Sequence, residues 1–203
     1  MLLQVIPFLT ASILLTLSPG PDIIYVLVQS ISNGKKAGII TTLGLVSGIV
    51  IHTTLVAFGV SAIIKASPIL FTIIKILGAL YLFYLAYKVF KSDSSIAIAE
   101  NNPPRRSRNL FVQGFIMNVL NPKVTIFFLA FFPGFLWEPE GNTIYQFYML
   151  GLLFMLQALL IFGSVALLAG RISTYLKSHR NSGNFLKWTQ IIVFVSIGFL
   201  ILI

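Results

Sequence analysis

Six long apolar runs dominate this chain and limit what it can fold into. Each run supplies about the 20 residues that an α-helix needs to cross the hydrocarbon core of a bilayer. Hydrophobic residues make up 57% of the 203 residues and charged residues only 9%, whereas soluble domains average about a quarter charged residues. We therefore expect an all-α membrane protein with six transmembrane segments, numbered 1 to 6: Leu2–Val28, Ala37–Ile64, Pro68–Phe90, Leu110–Leu136, Thr143–Gly170 and Phe185–Ile203.

A polar stretch divides the segments into two sets of three. Residues Ser92–Arg108 combine Ser, Asn, paired prolines and arginines without an apolar period, which is typical of a loop. We expect one domain over residues 1–203, with repeats at roughly 1–91 and 109–203 and a cytoplasmic loop at roughly 92–108. A repeat of three helices reverses its orientation in the membrane, so the two repeats would be inverted.

The basic residues are distributed unevenly among the loops. Of the 14 Lys and Arg residues, all but Lys65, Lys75 and Lys123 lie in or beside the loops that follow segments 1, 3 and 5. Positively charged loops stay in the cytoplasm. We therefore expect a multi-pass protein of a bacterial inner membrane with both termini outside. The net charge of +9 then reflects topology, and we expect no nucleic-acid partner, since that would need a basic face on a soluble domain.

Missing residue types narrow the function further. The sequence has no cysteine, which excludes disulfides, thiolate metal sites and a thiol electron conduit. Asp, Glu and His do not recur at metal-ligand spacing, and we expect neither a metal nor a cofactor. The sequence has no phosphate-binding loop for ATP and none of the usual hydrolase motifs. We expect a small-solute transporter rather than an enzyme. The alternative is a transmembrane enzyme or lipid-processing protein, and movement of a soluble substrate without chemical change would argue against it.

A proline motif interrupts segment 1. It consists of Ser18, Pro19, Gly20, Pro21 and Asp22. Neither proline is able to donate a hydrogen bond to the carbonyl four residues earlier. Gly20 lets the chain turn, and Pro21 suits the first position of a new helix. We expect the helix to break in mid-membrane and restart near Pro21. Because irregular backbone at this depth must be buried in protein or line a cavity, the break marks a candidate site.

Asp22 follows directly after that break. A structural explanation exists, because an acid in the first turn of a helix is stabilised by the helix dipole. However, a carboxylate at the bilayer centre costs at least ~2.5–3.5 kcal/mol, and Ser or Asn would cap at lower cost. We interpret Asp22 as a residue that meets a substrate ammonium or carries a coupling proton.

Segment 4 contains a similar motif, made of Asn118, Asn121, Pro122 and Lys123. Pro122 leaves the carbonyl of Asn118 without its helical donor. Because opposite charges buried together cost less than either alone, Lys123 is the expected partner of Asp22. The pair is either a structural link between half-helices or part of a substrate site, which we place at the midplane between the two breaks.

Other polar residues in the segments have a structural explanation in helix packing and hydrogen bonding. Segment 2 carries Gly44, Gly48, His52 and Gly59 at helical spacing, which predicts close packing of this face on a neighbouring helix. His52 would then lie inside the protein, either as a hydrogen-bonded interior residue or as a proton relay. Three glutamines are candidates for hydrogen bonds between helices: Gln113, Gln157 and Gln190.

Several runs together resemble the LysE/RhtB family of amino-acid exporters. They are Leu17-Ser18-Pro19-Gly20-Pro21 in segment 1, Gly44-Leu45-Val46-Ser47-Gly48 in segment 2, Leu77-Gly78-Ala79-Leu80-Tyr81-Leu82 in segment 3, and Gln113-Gly114-Phe115 with Asn118, Asn121, Pro122 and Lys123 in segment 4. The resemblance implies six helices, export of an amino acid or similar metabolite, and coupling to the proton gradient. The implied partners are the amino acid, protons and membrane lipid, and the sequence leaves a homodimer open.

Overall fold

The structure, a computed structural model, describes residues 2–92, 107–139, 141–179 and 181–202. These ranges are almost entirely helical and contain no β-strand. Most of the predicted loop at 92–108 lies outside the described residues, as do Arg105, Arg106 and Arg180, three of the basic residues used for the topology.

Segment 1 is broken as predicted. Helix α1 runs over Leu2–Leu17 and α2 over Pro21–Asn33, with a bend of 54° between them. The second half continues five residues beyond the predicted end at Val28. Residues 29–33 are mostly polar but still helical, so the apolar run ends before the helix does. Gly34 follows with a φ of 84°, a conformation that costs little only for glycine. The chain then turns directly into the next helix.

Segment 2 consists of α3 (Lys35–Leu55), a π-helical turn at Val56–Val60 and α4 (Ser61–Ala66). The π turn makes the prediction for Gly59 wrong. A π turn holds one more residue than an α turn, so Gly59 rotates off the face shared by Gly44 and Gly48. It is exposed, and a methyl group at Gly59 would meet no atom of the described residues within 4 Å.

Segment 3 is a single helix, α5 (Pro68–Lys91), and segment 4 is broken. Helices α6 (Ser107–Val119) and α7 (Pro122–Ile126) are followed by a second π turn and a 3₁₀ turn that ends at Phe135. The bend at this break is 45°. Both breaks therefore fall at the prolines that the sequence indicated.

Segments 5 and 6 are the unbroken helices α8 (Thr143–Ser178) and α9 (Ser182–Leu202). Helix α8 has 36 residues and is about 54 Å long at 1.5 Å per residue, well beyond the ~30 Å hydrocarbon core. Its predicted end at Gly170 was too early, since hydropathy marks the membrane boundary and not the end of a helix.

Within the described ranges, four unbroken helices are long and apolar enough to cross a membrane, and the number is six if each bent pair forms one span. The protein is therefore an all-α membrane protein. Each half contains a bent pair followed by two unbroken helices, the element order that two repeats would give. Inversion of the repeats stays a prediction.

Glycines bring segments 2 and 4 into backbone contact. The Cα of Gly44 lies 3.4 Å from the position that a β-carbon on Gly114 would occupy, and a methyl group on Gly44 would collide with the carbonyl of Phe111. Small residues at such crossings are the usual means of close helix packing in membranes. The crossing places α3 against α6 and thereby fixes the broken end of α6 relative to segment 2.

Candidate functional site

The break in segment 1 is extended rather than turned. Gly20 has φ −164° and ψ 176°, a backbone that any residue adopts, so the expectation that Gly20 provides a turn was wrong. Glycine is needed here for space. A β-carbon at this position would lie 2.9 Å from Oδ1 of Asp22 and 3.0 Å from Nζ of Lys123.

Lys123 takes the place of missing backbone donors at this break. Pro19 is unable to donate to the carbonyl of Leu15, and the Lys123 ammonium donates to that oxygen at 3.0 Å. It also donates to the carbonyl of Ser18 at 3.1 Å. A side chain from segment 4 therefore stabilises the end of α1 in segment 1.

The same ammonium forms an ion pair with Asp22. Its Nζ lies 3.5 Å from Oδ1 of Asp22, and both side chains are 4% exposed. The two breaks thus meet, as the charge argument predicted. Burial of two charges is costly unless each is paired and hydrogen-bonded. Lys123 meets that condition with two carbonyls and a carboxylate, whereas Oδ1 of Asp22 accepts no hydrogen bond from the described residues.

The break in segment 4 is closed by a cap and by His52. The Asn121 side chain accepts a hydrogen bond from the Lys123 amide at 3.0 Å, and the Asn121 amide donates to the carbonyl of Asn118 at 2.9 Å. Pro122 is the residue that would otherwise have donated to that carbonyl. His52 Nε2 contacts the same oxygen at 3.1 Å. His52 lies inside the protein, as the glycine spacing of segment 2 predicted.

A small cavity joins the charged residues of the two breaks. Of the predicted site residues, Asp22, Asn118 and Lys123 line it, whereas Ser18, His52 and the prolines do not. Its water-accessible space is about 10 Å³, which is close to the minimum for one water molecule. A solute of the size of an amino acid does not fit this space.

The cavity has further walls that the sequence did not single out. Its other lining residues are Leu15, Thr16, Ile49, Val124, Phe154 and Phe162. They come from segments 1, 2, 4 and 5, and no local motif marks them. In this part of α8 the sequence indicated only Gln157, as a candidate for a hydrogen bond between helices. Gln157 does donate to Thr16 at 3.0 Å.

Polar atoms without partners lie at the two breaks. Among the described residues, the buried Oγ of Ser18, Oδ1 of Asn118 and Nδ2 of Asn121 form no hydrogen bond. Buried polar groups normally have partners, so such a cluster needs an explanation. No three His, Cys, Asp or Glu side chains in the described ranges lie close enough together to hold a metal ion. The free polar atoms suit a small polar solute.

Comparisons with known proteins give several sequence matches. Residues 13–203 match the family model described as LysE type translocator. The chain is 30% identical over 199 residues to an uncharacterized membrane protein, YrhP, of Bacillus subtilis (strain 168), covering 94% of each chain. It is 30% identical over 170 residues to a homoserine/homoserine lactone efflux protein of Salmonella typhimurium, covering 84% of this chain and 82% of the relative. A protein of the same name in Salmonella typhi is 31% identical over the same length.

No solved structure matches the chain, so its assignment rests on the sequence matches. The family match covers more than nine-tenths of the residues and includes both breaks, with the ion pair that joins them. The chain belongs to the LysE type translocator family.

Proposed function

We propose that the protein exports an amino acid or a related small metabolite across the cytoplasmic membrane, driven by the proton gradient. The observation that carries this proposal is the buried ion pair between Asp22 and Lys123 at the meeting point of two broken segments. Intramembrane ionisable groups are expensive and are usually functional. Broken helices at such a place are typical of secondary transporters.

The charges of the site match a zwitterion. An amino acid carries one carboxylate and one ammonium group, and the pair offers one ammonium and one carboxylate in return. The first-turn N–H groups of α2 lack acceptors within the helix and add a second feature that favours a substrate carboxylate. We propose that the substrate separates the ion pair, with its ammonium on Asp22 and its carboxylate beside Lys123 and α2.

Proton coupling follows from the same exchange. The conformation described here closes the site to about 10 Å³, so loading requires the helices to move apart and the ion pair to break. A carboxylate that loses its cation inside a membrane needs a new positively charged partner. Asp22 would thus bind either the substrate ammonium or a proton, which is the alternation that antiport needs.

The relatives suggest which solutes to test. Two proteins that are 30% and 31% identical to the chain over 170 residues are named homoserine/homoserine lactone efflux proteins. We propose that a neutral amino acid of similar size is the substrate. A panel should include homoserine, its lactone, threonine, leucine, lysine and glutamate.

The test uses proteoliposomes preloaded with each solute under an imposed pH gradient. We expect efflux of at least one amino acid, an acceleration when protons are able to enter in exchange, and loss of that acceleration in Asp22→Asn. A Glu138→Gln protein is the matched control, because it also removes one carboxylate but lies in the loop before α8. If the wild type moves no member of the panel in either direction, the proposal is wrong. If folded Asp22→Asn keeps the wild-type rate and pH dependence, Asp22 is not the coupling residue.

The location and partners belong to the same proposal. The basic loops favour a bacterial inner membrane with both termini outside. The partners would be the solute, protons and lipid. A second copy of the chain as a partner is tested by the mass of the purified protein in detergent.

A further inference from the structure

A glutamine in segment 5 has a polar atom without a partner. Gln157 lies within α8 and is 7% exposed. Its Nε2 donates to Oγ1 of Thr16 at 3.0 Å, and the Thr16 hydroxyl donates to the carbonyl of Ser12 at 2.8 Å. The Oε1 of Gln157 is buried and accepts no hydrogen bond from any described residue. A buried amide that is only half satisfied is unusual in a folded protein.

The position of Gln157 relates this amide to the candidate site. Thr16, its partner, lines the same small cavity as Asp22 and Lys123. Phe154 lies three residues before Gln157 on α8, which places the two on one side of the helix, and Phe154 also lines the cavity. The amide therefore lies directly behind the cavity wall, within one side-chain contact of the space that a substrate must enter.

The unpaired atom persists whichever way the amide is oriented. With the orientation described, the oxygen has no donor. If oxygen and nitrogen exchange places, the oxygen faces Thr16 and the nitrogen is left without an acceptor. A hydroxyl group fits both cases, because it is able to donate and to accept. A cationic side chain would suit only the free oxygen, and an anionic one only the free nitrogen.

We propose that Gln157 is a specificity-determining residue that hydrogen-bonds a hydroxyl group on the side chain of a neutral amino acid. This inference rests on the proposed function, in which Asp22 and Lys123 hold the ammonium and carboxylate of that amino acid. Thr16 positions the amide from the segment 1 side. A site built to bond a hydroxyl group rejects the analogue that lacks it, because the polar group of the site is then left unpaired.

The test compares homoserine with 2-aminobutyrate, which has the same carbon chain without the hydroxyl. Transport by purified protein in proteoliposomes is measured as maximal rate over KM for each solute. We expect the wild type to prefer homoserine by about tenfold or more. Gln157→Met should remove that preference by lowering homoserine transport at least about tenfold, with 2-aminobutyrate transport unchanged. Gln190→Met, a half-buried glutamine of α9 that lines no described cavity, is the matched control and should keep the preference.

Each outcome separates the inference from the proposed function. Equal transport of both solutes by the wild type overturns the role of Gln157 and leaves amino-acid export standing. Transport of neither solute, nor of any other amino acid, overturns export itself. Equal losses for both solutes in folded Gln157→Met would make Gln157 a structural residue. The preference of the wild type for homoserine over 2-aminobutyrate is measured without any variant, so the inference is tested even where Gln157→Met fails to fold. In that case Thr16→Val serves as the second variant.

Discussion

The Nε2 of His52 lies 3.1 Å from the main-chain oxygen of Asn118, the oxygen that Pro122 deprives of its helical donor. Lys123 has the same relation to Leu15, whose carbonyl Pro19 leaves free. In each broken segment, a side chain from another segment therefore replaces the backbone amide that proline lacks. The breaks are held by long-range contacts as well as by local sequence.

Replacing His52 should loosen the break in segment 4. His52→Phe keeps an aromatic ring beside Phe128, which lies 5.5 Å away between ring centroids, but removes the polar contact to Asn118. We expect a loss of about 1–3 kcal/mol in stability, measured by thermal or denaturant unfolding in detergent. His52→Gln retains a donor and should recover most of the loss. A folded His52→Gln protein that transports without pH dependence would instead assign the coupling proton to His52.

Asp22 and Lys123 should behave as a coupled but unequal pair. Removal of one partner from a buried ion pair typically costs about 3–5 kcal/mol. Lys123→Met should cost more than Asp22→Asn, because Lys123 also bonds the carbonyls of Leu15 and Ser18. The double variant should be more stable than the sum of the single losses implies. Additive losses in a double-mutant cycle would show that the two side chains do not interact.

Gly48 should tolerate no larger residue, whereas Gly163 should. A β-carbon on Gly48 would lie 2.6 Å from Oδ1 of Asn118, but one on Gly163 would have no neighbour within 4 Å in the part of the chain that the structure describes. We expect Gly48→Ala to lower stability by about 1–3 kcal/mol. Gly163→Ala should be neutral or stabilising by up to ~1 kcal/mol. Both values are measured by unfolding in detergent, and equal effects would contradict the contact between α3 and segment 4.

The topology is tested by single cysteines, for which the cysteine-free chain is a clean background. Asn102→Cys, which falls outside the described residues, and Asn181→Cys should react with an impermeant thiol reagent only from the cytoplasm. Asn142→Cys, at the start of α8, should react only from outside. Labelling of positions 102 and 142 from the same side would exclude six spans with the predicted orientation.

Local chemistry explains what the sequence revealed about the site. Proline removes a backbone donor, and the motifs around Pro19, Pro21 and Pro122 made both breaks predictable, although Pro7 alone leaves α1 continuous. Charge neutrality then paired Asp22 with Lys123 without knowledge of the fold. In contrast, Phe154 and Phe162 are two of many aromatic residues in apolar helices, and only tertiary packing decides which of them face the cavity.

Gly59 shows why a helical period read from sequence fails over long distances. The spacing of Gly44, Gly48 and His52 is kept in α3, and these residues face segment 4. Gly59 lies beyond the start of the π turn, where one added residue shifts the direction of later side chains by about 100°. Nothing in the composition of Val56–Val60 distinguishes this turn from an α-helical one.

The π turn at Val56–Val60 also constrains insertions and deletions at this point of the chain. Ser61, immediately after the turn, bonds Thr143 at the start of α8 at 3.0 Å. Deleting one residue within the turn would restore an α-helix, rotate Ser61 by about 100° and separate it from Thr143. A homologue one residue shorter here would need a different contact between segments 2 and 5. A single-residue change in length at this turn is therefore a marker for divergence in how those two segments meet.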